Sequence, residues 1–419
     1  MSNVIKSASI YLSSNILNAA IPFIFLPILT RYLTQGEYGQ IAMFQMLLNG
    51  LLTIIGLGVQ GSATRKYYDV NISERELSFF NGSCLQISFY CFTFILCSFY
   101  FLGELLSKYL SIPLSWCYIA VCISLSTFII QLRLAQWQVR GEAKKYGLLV
   151  VIQSLLNFSL SLIFVIKLDM GAYGRIDAQF ITAIIFILIS LFFLYRDKLI
   201  ILFIFNIRYI KEALKFGLPL VPHAIGTFIL TSFDRFIINK HLGIDSAGVY
   251  MVALQISMGF IIIFDSINKA YCPWLFSKLK NDDKKENIKI VKTTYVFIIL
   301  ALFVGIAAYY ISPFIVIIIA GEKYIQASDI IGWLCLGQIF SGMYLIFTNY
   351  IFFAKKTILL SIISIISGVV SIFILLFLVR IYALEGAAIS FAIGQLLQFS
   401  LTVIAAIKVH KMPWLGVKL

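Results

Sequence analysis

The feature that most restricts this chain is a series of twelve apolar runs, each roughly as long as a helix needs to cross about 30 Å of hydrocarbon at 1.5 Å per residue. They lie near residues 8–30, 40–62, 82–103, 112–134, 147–167, 176–195, 217–240, 247–270, 292–312, 326–353, 357–379 and 385–408. Inside lipid no water satisfies the backbone, so a spanning segment must be a helix or part of a closed barrel. Barrel strands alternate polar and apolar residues, whereas these runs are continuous, so an all-α integral membrane protein is expected. No stretch between the runs is long enough for a separate soluble domain. The first run carries Asn15, Asn18, Pro22 and Pro27 without a small-residue cleavage pattern and reads as a retained helix.

Composition agrees: 61% of the 419 residues are hydrophobic and 12% charged, against about a quarter charged in an ordinary globular domain. The net charge of +14 acquires its meaning from position. With twelve spans and both termini cytoplasmic, 25 Lys and Arg fall on the cytoplasmic side. Seven fall on the other side, namely Arg31, Lys108, Lys167, Arg175, Lys240, Lys323 and Arg380, and Arg235 lies within a span. That bias follows the positive-inside rule, so the basic excess reads as topology and no nucleic-acid partner is expected. The seven cysteines show no CxxC spacing and no histidine partner. They read as apolar packing residues, and no metal or cofactor is expected.

The chain also matches itself. At a shift of 209, TRYLTQGEYGQI falls on NKHLGIDSAGVY and sets Arg31 opposite Lys240; at a shift of 211, AKK at 143–145 meets AKK at 354–356, and at 212 Gly174 meets Gly386. The first helix of each half carries a proline pair, Pro22 with Pro27 and Pro219 with Pro222. Proline within a span frees a carbonyl and bends the helix. The expected organisation is a six-helix bundle over 1–200, a basic cytoplasmic linker over 201–215 and a second bundle over 216–419. Two such bundles in the same orientation are expected to enclose a central cavity that opens to either side. The charged run at 278–292 reads as a solvated loop and helix start.

The stretch LKFGLPLVPHAIGTFILTSFDRFIINKHLGIDSAGVYMVALQI, residues 214–256, resembles the bacterial polysaccharide transporters, the O-antigen flippases of Wzx type. TRYLTQGEYG, QVRGEAKKYG and AGEKYIQASDII are similar too, so the resemblance spans nearly the whole chain. It implies a two-lobed fold shared with the multidrug and toxic-compound extruders. The implied activity is transport of an undecaprenyl-pyrophosphate-linked sugar repeat unit from the cytoplasmic to the periplasmic leaflet of the bacterial inner membrane. A polysaccharide polymerase and a chain-length regulator are the partners it implies downstream.

Such a substrate needs a hydrated path for its sugars and cations for its pyrophosphate, which Arg can grip bidentately. Charged residues inside a span generally face the protein interior or water, which makes Arg235 a phosphate candidate and Asp234 its partner or a protonatable site. The alternative is that Arg235 snorkels while Asp234 ties its helix to a neighbour. Arg31 and Lys240 at helix ends, Asp265 and Lys269 four residues apart, and Arg133 with Arg140 are further candidates. For these, helix anchoring, a plain ion pair and topology are the competing explanations. Asn15, Asn18, Gln45, Gln131 and Gln255 are candidate cavity residues for sugar hydroxyls. The GLGVQG at 56–61 lacks a preceding strand and a Lys-Ser, so it reads as close helix packing. The short outer loops argue against a membrane enzyme. A drug antiporter of the extruder type is the rival reading, and it would call for an excess of acidic residues in the cavity.

Overall fold

The computed structural model describes residues 2–69, 72–201, 204–281 and 283–414, with side chains from residue 9 onward except at 281. Among the described residues there is no strand, and eleven helices are long and apolar enough to cross a membrane. The chain is a multi-pass, all-α membrane protein.

Two compact units are present, Met1–Ile225 and Gly226–Leu419. The first holds α1 (Ser2–Tyr32), α2 (Gln35–Gly56), the short α3 (Val59–Lys66), α4 (Glu74–Leu110), α5 (Leu114–Val139), α6 (Ala143–Leu162), α7 (Gly171–Arg196) and α8 (Ile207–Gly217). The helix α9 (Val221–Ser232) carries the boundary. In the second unit follow α10 (Asp234–Leu242), α11 (Ile244–Asn281), α12 (Lys284–Ala320), α13 (Ala327–Phe353) and α14 (Ile358–Val409).

Helix starts follow local chemistry. Thr34 accepts the Glu37 amide at 3.2 Å while Glu37 Oε2 accepts the Thr34 amide at 2.8 Å, a capping box that begins α2. Ser73 and Glu76 repeat it before α4. Several helices outrun their apolar stretch: the run at 82–103 is the middle of α4, and that at 292–312 the middle of α12. Hydropathy marks the part in hydrocarbon, and capped, charged first turns carry the helix on into water.

The twelfth span appears where α14 breaks at Ala383, whose φ of 47° and ψ of −126° reverse the chain. Ser390 Oγ donates to the Ser371 carbonyl at 3.3 Å and Gln398 Nε2 to Ser364 Oγ at 3.3 Å, so the two arms run back along each other. Gly386 makes this possible, because a Cβ there would overlap the Leu378 carbonyl. The first unit repeats the device. After α6 the chain passes a π-helical turn, Ile163–Lys167, and returns as α7, with Gly174 so close that a Cβ would lie 2.9 Å from the Phe164 carbonyl carbon. The sequence pair Gly174 and Gly386 thus marks the same tight return at the last hairpin of each half.

The segment expected as a linker at 201–215 is in large part α8, which packs on α3 and α4 within the first unit. Lys66 Nζ reaches Glu212 at 2.6 Å, and Ala213 and Gly217 are buried. Gly58 of the GLGVQG stretch has φ 69°, and a Cβ on it would stand 2.6 Å from the Gly217 carbonyl, a close packing of backbones.

Candidate functional site

In the first unit α1, α2, α3, α5, α6 and α7 enclose a cavity of about 680 Å³. Its walls are polar to a degree unusual for a chain this apolar. Asn15 and Asn18 come from α1, Gln45 from α2 and Gln60 from α3. Helix α5 adds Gln131 and Gln138, α6 adds Gln153 and Asn157, and α7 adds Gln179. Hydroxyls come from Thr127, Tyr146, Ser154 and Thr182. Among the described residues no carboxylate lines it, and the one charged lining residue is Arg175.

The cavity is long. On α5 the lining runs from Ile123 to Gln138, about 22 Å at 1.5 Å per residue, and on α6 from Tyr146 to Phe158, about 18 Å. Arg175 stands at one end and Asn15, whose Oδ1 accepts from the Tyr146 hydroxyl at 3.2 Å, at the other. Arg175 Nη1 donates to Asn157 Oδ1 and to Ser161 Oγ, each at 2.8 Å, and the guanidinium lies 4.7 Å from the centre of the Phe158 ring. The head is therefore fixed to the end of α6 across the tight return that Gly174 permits. Among the described residues Arg175 has no ion-pair partner. Glu37, which touches the first turn of α7, is occupied with the Ala172 amide at 3.2 Å and the Thr34 amide at 2.8 Å.

Of the expected site residues, Asn15 and Asn18 line this cavity together with Gln45 and Gln131, while Gln255 lies on α11 in the other unit. Asp234 and Arg235 are buried in the second unit. Asp234 accepts from the Tyr250 hydroxyl at 2.6 Å and from the Arg235 amide at 2.8 Å, and the guanidinium stands 3.5 Å away. Arg235 Nη1 also donates to the Thr231 carbonyl at 2.7 Å. The structure thus makes Asp234 the partner of Arg235, at the break between α9 and α10. Arg133 is buried as well, ion-paired to Asp197 and stacked 4.2 Å from the Trp137 ring. Arg140 grips Glu74 bidentately at 2.9 and 2.7 Å, and that hydrogen bonding lifts its pKa above the ordinary value. Asp265 and Lys269 pair at 2.6 Å with both side chains nearly half exposed, and Arg31 and Lys240 are exposed at the ends of α1 and α10.

Sequence reading counted Arg175 among the outer-side charges, because the run was taken to begin at 176. Helix α7 begins five residues earlier, at Gly171, and carries Arg175 inward. The signal present was Asn157: five residues before the end of α6, it is an acceptor for a cation on the returning helix.

Comparison with known proteins comes to the same architecture. A family model described as "Polysaccharide biosynthesis protein" matches residues 4–280. A Haemophilus influenzae protein of the Lsg locus is 24% identical over 380 residues, covering 88% of this chain and 89% of its own. A Shigella flexneri protein named for O-antigen transport is 27% identical over 293 residues, 68% of each. Among solved structures, an inward-facing multidrug resistance MATE transporter superposes with a TM-score of 0.73 at 15% identity, covering 96% of this chain and 98% of that one. The lipid II flippase MurJ superposes with a TM-score of 0.72 at 15% identity over 96% of this chain and 86% of its own. At such identities these likenesses show the fold alone.

Proposed function

Because the chain belongs to the polysaccharide biosynthesis protein family, we propose that it is a transporter, a flippase for lipid-linked oligosaccharides. Its substrate is an undecaprenyl-pyrophosphate-linked repeat unit of O-antigen or a related surface polysaccharide, moved from the cytoplasmic to the periplasmic leaflet of a bacterial inner membrane by alternating access. Both termini lie in the cytoplasm in this reading. The observation that carries it is the cavity of the first unit, whose lining joins nine amides to one unpaired arginine and no carboxylate.

The chemistry of the substrate explains why. A sugar hydroxyl both donates and accepts, and leaving one unmatched in apolar surroundings costs about 2–7 kcal/mol. Asn and Gln side chains offer both functions at one site. An antiporter for organic cations wants the opposite arrangement, carboxylates facing the path. Among the expected cations, Arg31, Lys240 and Lys269 reach the surface and are the proposed contacts of the pyrophosphate. Export of about two negative charges from an inside-negative cell is favoured by about 2.3 kcal/mol per charge per 100 mV, so the membrane potential is the proposed driving force. A polymerase and a chain-length regulator act after this step.

Deleting the gene and following surface polysaccharide tests the reading. Loss of polysaccharide with accumulation of the lipid-linked unit, restored by the wild-type gene, is expected. Intact polysaccharide together with sensitivity to cationic compounds would overturn it in favour of the antiporter.

A further inference from the structure

Arg175 poses an energetic question that its neighbours do not answer. A cation within a span is held at a cost of several kcal/mol unless a counter-charge or water compensates it. Among the described residues the two fully buried arginines each have an aspartate, Asp197 for Arg133 and Asp234 for Arg235, whereas Arg175 is partly buried. Arg175 has only neutral acceptors, Asn157 and Ser161, and it faces the cavity. Those two bonds occupy one terminal nitrogen, Nη1, and the edge formed by the other two nitrogens has the geometry that suits a carboxylate bidentately. Among the described residues no carboxylate shares the cavity with Arg175, so an anionic group that enters meets a cation held only by neutral acceptors and water.

Position decides which part of the substrate brings it. In the proposed orientation α7 descends from the outer face, so Arg175 sits at the outer end of a cavity about 18–22 Å long, by the rise along α6 and α5. A unit loaded from the cytoplasmic leaflet keeps its lipid tail in that leaflet and its pyrophosphate near that surface. The sugar end extends into the cavity, past Asn15, Tyr146 and Gln138, and its far residue meets Arg175. The intervening walls are amides, matched to uncharged hydroxyls.

We propose that Arg175 is the specificity residue for an acidic sugar at the end of the repeat unit distal to the pyrophosphate, with a hexuronate carboxylate as the chemical class. This rests on the flippase reading and adds to it a requirement on the glycan. The remainder of the cavity accepts neutral sugars.

The test uses the full-length protein in proteoliposomes with two probes, polyprenyl-pyrophosphate-linked trisaccharides that end in glucuronate or in glucose. Access of membrane-impermeant periodate to the sugar diols reads transfer across the bilayer, and the glucuronate-to-glucose rate ratio is taken within each variant. Amount and overall folding then drop out of the comparison. Wild type is expected to favour the glucuronate probe about tenfold, the scale of one charge-assisted bidentate pair. Arg175→Gln should bring the ratio to about one, and Arg175→Lys should keep part of it. A wild-type ratio near one overturns the proposal while leaving the flippase intact. So does an Arg175→Gln that slows both probes and keeps the ratio, which would assign the arginine to the pyrophosphate. If wild type moves neither probe, the flippase reading itself fails, and this inference with it.

Discussion

Replacing Asp234 by alanine separates a clamp from a transport site. The carboxylate receives the Tyr250 hydroxyl at 2.6 Å and the Arg235 amide at 2.8 Å, with the guanidinium 3.5 Å away. Its removal leaves a buried cation whose remaining charge-bearing bond runs to the Thr231 carbonyl. Breaking such a pair from one side costs about 3–5 kcal/mol, because an uncompensated charge stays buried. Tyr250→Phe removes a single hydrogen bond to a charged acceptor, about 1.5–3 kcal/mol. The double change Asp234→Leu with Arg235→Leu removes both charges and should cost less than Asp234→Ala alone. Heating fluorescently tagged protein in detergent and following its monodisperse peak on size exclusion gives the order: wild type most stable, then the double variant and Tyr250→Phe, with Asp234→Ala last. Should Asp234→Ala melt as wild type does yet abolish surface polysaccharide, the clamp argument is wrong and the pair belongs to the transport path.

Two further expectations concern the cavity and the hairpins. In a cysteine-free background, Gln153→Cys should react with a charged methanethiosulfonate at least about tenfold faster than Phe94→Cys, an exposed apolar position on α4, because thiolate forms in a hydrated cavity and hardly at all in lipid; equal rates would mean the cavity is dry. Gly174→Val and Gly386→Val force a side chain against the carbonyl of the preceding helix, an overpacking that costs about 1–3 kcal/mol or more, and both should lower folded protein in the membrane, whereas Gly56→Ala, whose Cβ would stand 3.8 Å from the Phe128 ring in ordinary contact, should lower it less.

What could be seen beforehand follows from which interactions are local. Spans were legible because each crossing imposes its own apolar length, and even the reversal at Ala383 fell in the gap between the runs ending at 379 and starting at 385. Gly174 and Gly386 were legible as a repeated pair, although only the coordinates show that each admits a neighbouring carbonyl. Partnerships across long separations were not. Arg133 and Asp197 stand 64 residues apart, and nothing in either neighbourhood announces the other. The bonds of Arg235 were no more legible, since they go to the Thr231 carbonyl of its own turn and to Asp234. The amides Asn15, Asn18, Gln45 and Gln131 could be picked out as polar residues in apolar runs. Their convergence with Arg175 depended on a helix start that hydropathy placed five residues late.

The amide lining also bears on how such a protein is made and how it diversifies. Helices enter the bilayer one after another, and a charge at the centre of an entering helix costs about 2.5–3.5 kcal/mol on the insertion scale. Nine uncharged amides spread over six helices avoid that cost, and the lone cation sits four residues into α7, close to the interface where the penalty is least. Exchanging one amide or hydroxyl for another rearranges donors and acceptors without changing the charge any helix carries into the membrane. A lineage can therefore alter what the cavity accepts, one neutral substitution at a time, while every intermediate still inserts.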